Sequence, residues 1–146
     1  MKRDNVGQVL QLYTSKRGNS TRILEDKIEV DNLGVLTDKF YAKDENRAIL
    51  LTTVESYELA KHNNIEIDYG SLGENILIDF NPYALAIGSQ LKIGTVLFEI
   101  TQSCTICNHL SSIDKKLPQL LKEDRGIFIR AINSGFIEKG DTISKI

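Results

Sequence analysis

Cys104 and Cys107 stand three positions apart in Thr101-Gln102-Ser103-Cys104-Thr105-Ile106-Cys107, with His109 two residues further on. A thiolate is a nucleophile and a soft metal ligand, and nearby cations or loop amides favour its formation. Three chemistries compete for such a pair. Tetrahedral zinc needs two further ligands, and the two histidines of the chain, His62 and His109, lack the close spacing of a zinc finger. A thioredoxin-like dithiol belongs to a βαβ context, whereas strand-like sequence lies on both sides of this pair. The third is a single thiolate that binds a transition metal or carries sulfur as a persulfide, with the other cysteine as neighbour or redox partner. The same residues also read as small buried hydrophobes.

A second polar cluster is Gly70-Ser71-Leu72-Gly73-Glu74-Asn75. Its glycines permit tight backbone geometry and exposed amides, and Ser71, Glu74 and Asn75 add polar groups, so it reads as a cradle for a polar ligand or as an ordinary turn. Neither Gly-x-x-x-x-Gly-Lys-Ser/Thr nor Gly-x-Gly-x-x-Gly occurs, which leaves nucleotide hydrolysis without support.

These clusters must be held by elements that the pattern predicts to be mostly strands. Short Ile, Val and Leu stretches recur between Gly, Asn and Asp, giving about eight strand-like pieces. They fall at residues 6–13, 22–30, 48–51, 65–69, 76–78, 91–101 with a corner at Gly94, 127–132 and 136–146 around Gly140-Asp141. Thr52 and Glu55 fit a capping box opening a helix over residues 54–63, and Leu117, Leu120 and Leu121 fit a second helix within residues 114–124. The expected architecture is mainly β with a few helices, built around a barrel.

Composition narrows the function classes. In 146 residues, 18 Lys and Arg stand against 20 Asp and Glu, a net charge of −2 with no long basic run, so no nucleic acid partner is expected. The apolar run Ala48-Ile49-Leu50-Leu51 falls far short of the roughly 18 residues of a membrane helix, so no membrane span is expected either. Gln8, Gln11 and Ser15 interrupt any secretory apolar core, which makes a cytoplasmic location and reduced thiols the expectation. No repeat or low-complexity linker divides the chain, and residues 1–146 are expected to form one domain.

Taken in order, residues 70–76, the Ile87-Gly88-Ser89-Gln90-Leu91-Lys92-Ile93-Gly94 stretch, residues 101–107 and the closing Gly135-Phe136-Ile137-Glu138-Lys139-Gly140-Asp141 resemble the MOSC domain, named for the C-terminal domain of molybdenum cofactor sulfurases. The resemblance implies a β-barrel similar to that of the pyruvate kinase barrel domain. It also implies molybdenum cofactor (molybdopterin) as the small-molecule ligand, with Cys107 at the family's key cysteine position as the molybdenum ligand and catalytic residue. Cys104 matches a position that other members often replace. Asn75 matches a cofactor-binding Asn of amidoxime-reducing relatives, although Gly73-Glu74 stands where those have Arg-Pro, and Asp38-Lys39 stands where many small members have Asp-His. Asn75 by that match, Glu74 as a polar group of the same loop, and Arg47 as a cation are expected to bind cofactor, with Lys39 and Arg130 as further candidates for the few cations a pterin phosphate needs. The implied activity is reduction of N-hydroxylated compounds with electrons from a separate protein; the alternative is a non-enzymatic carrier of sulfur or cofactor for a molybdoenzyme.

Overall fold

The computed structural model describes residues 4–16, 22–104, 111, 113–122 and 124–146. Its strands are β1 (Asp4–Ser15), β2 (Arg22–Glu25), β3 (Lys27–Asp31), β4 (Gly34–Val35), β5 (Ile49–Thr53), β6 (Ile76–Ile78), β7 (Gln90–Ile93), β8 (Val96–Ser103), β9 (Ile127–Ala131), β10 (Gly135–Glu138) and β11 (Thr142–Lys145). Two helices accompany them among the described residues, α1 (Val54–His62) and α2 (Leu117–Leu120).

Seven strands close a barrel in the order β1-β11-β7-β8-β9-β5-β6, with β6 returning to β1. Closure depends on the length of β1. Its first half pairs with β11 from Asp4↔Lys145 to Gln8↔Thr142, while Val9 to Leu12 pair with β6 and Leu12 to Ser15 pair with β2. Irregular register between Asn5 and Gly7, and again between Val9 and Gln11, lets the strand bend around the barrel. A small sheet of β10, β3 and β4 lies outside this circuit.

Alternation decides what faces inward. Ile76 and Ile78 of β6 join Ile49 and Leu51 of β5 in the barrel core, while Leu77, between them, turns outward beneath α1. There it meets Tyr57, Ala60 and Leu72, and Leu117 and Leu121 of the α2 region close this second core. Because β5 and β6 are parallel, their connection has to cross over, and α1 is that crossover.

Three expectations change. Residues 65–69 form no ladder; Ile65 is buried because it folds back on α1, its N–H donating to the Ala60 carbonyl, so the alternation records contact with a helix. Thr53 is the N-cap of α1 and makes no side-chain cap bond, while the Thr52 hydroxyl donates to Glu74 instead. The second helix is one turn long, Leu117–Leu120, with Pro118 in its first turn. No helix among the described residues is long and apolar enough to cross a membrane.

Candidate functional site

A cavity of about 840 Å³ lies between the ends of β1 and β8 and the loop formed by residues 70–75. That loop is held by one hydroxyl. Tyr57, on the buried face of α1, accepts the N–H groups of Gly70 at 3.0 Å and Leu72 at 3.3 Å and donates to the Glu74 carboxylate. Burial, and then the Glu74 charge beside it, push the Tyr57 phenol far above its ordinary range, so it stays a proton donor. The remaining amides are also used: Ser71 donates to the Asp68 carbonyl and Gly73 to the Gly70 carbonyl. The loop therefore does not present the N–H groups of residues 70–73 to a ligand, which corrects the reading of this stretch as an amide cradle.

Its glycines serve another purpose. Gly70 sits at φ +93°, and a Cβ there would stand 3.1 Å from the ring of Tyr13, which forms part of the cavity wall. Burial, followed by the charge of Glu74, raises the Tyr13 phenol to about 12. At Gly73, φ +87°, the space beyond the missing side chain holds the Arg22 guanidinium, with Nη2 at 3.6 Å from the position a Cβ would take.

Asn75 lines the cavity but is nearly fully buried. Its Oδ1 accepts the Leu50 N–H at 3.1 Å and its Nδ2 donates to the Tyr13 carbonyl at 3.2 Å, so the side chain ties β5 to β1. Glu74 does not line the cavity; it lies completely buried behind the loop, with Oε2 on Thr52 and Tyr57 and Oε1 without a hydrogen-bond partner among the described residues. Arg47 is at the wall, its guanidinium 4.8 Å from the centre of the Phe128 ring. Lys39 also lines the cavity, whereas Arg130 does not: it pairs with Glu99 at 3.1 Å and Glu45 at 3.6 Å.

Sequence reasoning passed over Arg22, Lys43 and Arg125. With Arg47 and Lys39 they give the wall five cationic side chains against Asp44 as its carboxylate among the described residues. Arg22 lies 3.6 Å from Asp38, whose oxygens accept the N–H groups of Ser15 at 2.7 Å and Phe40 at 3.1 Å. Burial lowers the Arg22 pKa, opposed by Asp38. Arg125 is buried and donates to the Leu72 carbonyl at 2.5 Å. A strand pattern signals none of this, because a single Arg at a strand start reads as a solvated charge.

Cys104 is a buried thiol directly after β8, packed with Leu50 and Phe128 at the cavity wall. A smaller cavity of about 470 Å³ touches it from another side. Cys107 and His109 lie outside the described residues. His62 is exposed in the last turn of α1, and the described residues contain no group of three or more His, Cys, Asp or Glu side chains arranged to hold a metal ion.

The family model of the MOSC domain matches residues 37–144. Among solved structures, the chain is similar to the YuaD protein from Bacillus subtilis, with a TM-score of 0.80 and 17% identity over 98% of this chain and 96% of that one. It is similar as well to YiiM from Escherichia coli, with a TM-score of 0.73 and 20% identity over 100% of this chain and 70% of that one. For YiiM from Geobacillus stearothermophilus the TM-score is 0.70 and the identity 16%, over 99% and 75%. At these identities the likeness concerns the fold. No curated protein matches the chain by sequence.

Proposed function

Since the chain belongs to the MOSC domain family, we propose that it binds molybdenum cofactor in the cation-lined cavity and reduces small N-hydroxylated compounds, with Cys107 as the molybdenum ligand. The observation that carries this reading is the concentration of five cationic side chains on one cavity wall in a chain whose net charge is −2. Such a wall suits an anionic ligand, and about 840 Å³ is within the range of sites that enclose a whole small molecule.

The residues present fit the group. Arg22 has a buried Nη1 with no hydrogen-bond partner among the described residues, so an acceptor is wanted there. Phe40, Tyr69 and Phe128 offer apolar surface to a flat heterocycle. Cys104 stands at the same wall, and Cys107 follows it by three residues. Bound molybdenum would supply two-electron redox chemistry; the chain's own residues would hold the cofactor, keep it oriented and shield it from water. Electrons would come from a separate protein, because two cysteines are too few for an iron–sulfur cluster and no dinucleotide fingerprint is present.

The test is metal and pterin analysis of protein made in a host that assembles the cofactor, against protein from a cofactor-deficient strain. Molybdenum and pterin should co-purify from the first and not the second. Zinc in their place overturns the reading. Cofactor retained without turnover of an N-hydroxylated amidine by the chemically reduced protein moves it to the carrier role.

A further inference from the structure

We infer that the Tyr13 phenol is the substrate-orienting group of the cavity: it donates a hydrogen bond to the N–O oxygen of an uncharged N-hydroxy amide whose apolar body rests on Phe40, Tyr69 and Ile113 at the mouth. The inference rests on the proposed reduction and names the residue that tells its substrate from its product.

Tyr13 owes its place to alternation. On β1 the side chain of Leu12 enters the barrel core, whereas Tyr13 and Ser15 line the cavity. The Ser15 hydroxyl is sealed within the wall, which leaves the phenol as the donor of this strand that a ligand can reach. The backbone fixes it: the Tyr13 N–H donates to the Asn75 carbonyl at 2.8 Å, the Tyr13 carbonyl accepts Asn75 Nδ2, and the missing side chain at Gly70 lets the loop close on the ring. Tyr13 is only 7% exposed, yet its hydroxyl has no hydrogen-bond partner among the described residues. A hydroxyl so enclosed wants an acceptor, and the cavity is where one enters.

The surroundings select a neutral acceptor. The groups whose charge acts on the phenol are the Glu74 carboxylate, the Tyr69 hydroxyl and the Asp68 carboxylate, so an anion at this spot meets repulsion. Burial first, and then those charges, hold the phenol at about 12, so it keeps its proton and can share it with an acceptor. Phe40, Tyr69 and Ile113 line the cavity while remaining exposed, which puts three large apolar side chains at its mouth. Tyr69 is propped there by the Tyr57 ring, 5.0 Å away between centres. Such surface takes an aryl or alkyl body. Reduction then removes the oxygen that Tyr13 holds. An N-hydroxy amide takes up two electrons from the separate donor protein and two protons from solvent, its N–O bond breaks, and the primary amide and one water leave. The product lacks that acceptor, so Tyr13 favours substrate over product by the worth of one hydrogen bond. Tyr13 precedes residue 37, so this preference depends on a residue outside the segment matched by the family model.

The experiment titrates benzohydroxamic acid and benzamide, uncharged probes that differ by the N-hydroxyl oxygen, into the full chain from a cofactor-deficient strain by calorimetry. Wild type should bind the first about threefold or more tighter than the second. Tyr13→Phe should bind the two alike and keep its thermal midpoint, since the lost hydroxyl had no partner in the fold. Phe40→Ala should weaken both probes by a similar factor and leave their ratio intact. Absence of binding, no preference in wild type, a preference that survives in Tyr13→Phe, a fallen midpoint in that variant, or Phe40→Ala binding as wild type overturns the inference.

Cofactor-loaded protein separates this inference from the proposed function. Supplied with a chemical reductant, Tyr13→Phe should raise KM for benzohydroxamic acid about threefold or more while its molybdenum content stays that of wild type. Molybdenum-loaded Tyr13→Phe that turns over with an unchanged KM overturns the inference and sustains the proposed function. A Tyr13-dependent preference in a protein that never acquires molybdenum does the reverse.

Discussion

Tyr57 and Arg125 grip Leu72 from its two polar sides: the phenol oxygen accepts its N–H at 3.3 Å, and the guanidinium donates to its carbonyl at 2.5 Å. Tyr57→Phe keeps the ring and its edge contact with Tyr69 while removing this oxygen. Two amides and the Glu74 carboxylate then lose a partner in a buried place, and the expected loss of stability is about 2–3 kcal/mol. Urea unfolding measures it; an unchanged midpoint would show that the clamp is dispensable.

Asn75→Ala is expected to destabilise the fold by about 1–3 kcal/mol, because the Leu50 N–H and the Tyr13 carbonyl are left without a side-chain partner. A reading of Asn75 as a loop side chain that contributes little to folding gives no such loss. Thermal unfolding beside pterin retention distinguishes them.

Gly70→Ala should cost about 1–2 kcal/mol from its positive φ alone, with a further loss because the new methyl group meets the Tyr13 ring at 3.1 Å. Gly73→Ala has the φ penalty but an ordinary 3.6 Å contact with Arg22. The first variant should therefore unfold at lower urea than the second. The opposite order would mean that the Tyr13 wall yields freely.

Alkaline pH should unfold the protein in step with tyrosine ionisation. Tyr13 is raised to about 12, and Tyr57 and Tyr83 lie higher still, mainly through burial. A phenol whose folded pKa exceeds its unfolded value of about 10 contributes stability that is complete below pH 10 and is lost as pH climbs toward the folded value. Stability should fall from about pH 10 upward. Absorbance of tyrosinate at 295 nm and far-ultraviolet circular dichroism should change together; early ionisation of these three phenols in a folded protein would contradict their enclosure.

The two cysteines should differ. Cys107→Ser should abolish molybdenum retention, since a hydroxyl is a poor substitute for a soft thiolate. Cys104→Ser places a hydroxyl against Leu50 and Phe128, so it should lower stability by about 1–2 kcal/mol and keep most of the metal. Metal content of both variants decides. Loss with Cys104→Ser and retention with Cys107→Ser inverts the assignment.

Strands with both turn signals and apolar runs, such as Ile127–Ala131 and the pair around Gly94, were legible in the sequence because their own residues dictate them. The MOSC resemblance was legible from ordered short motifs, and the family match bears it out. Residues 65–69 were misread since alternation registers a buried face without naming its partner. Arg22 and Arg125 carry no signal in the sequence because the fold alone brings both to the lining of one cavity, which no local spacing encodes. The same holds for Glu74, whose partners Thr52 and Tyr57 come from β5 and α1.

The pairing of β1 with β11 joins segments separated by nearly the whole chain, down to a hydrogen bond between Ser144 and Asn5. Contacts so distant in sequence carry a large loop-closure cost and tend to form late. Until Thr142–Lys145 docks, β1 and β7 each keep an unpaired edge able to template pairing with another chain. Damage to this last strand should therefore appear first as self-association during refolding, before any ligand enters the account.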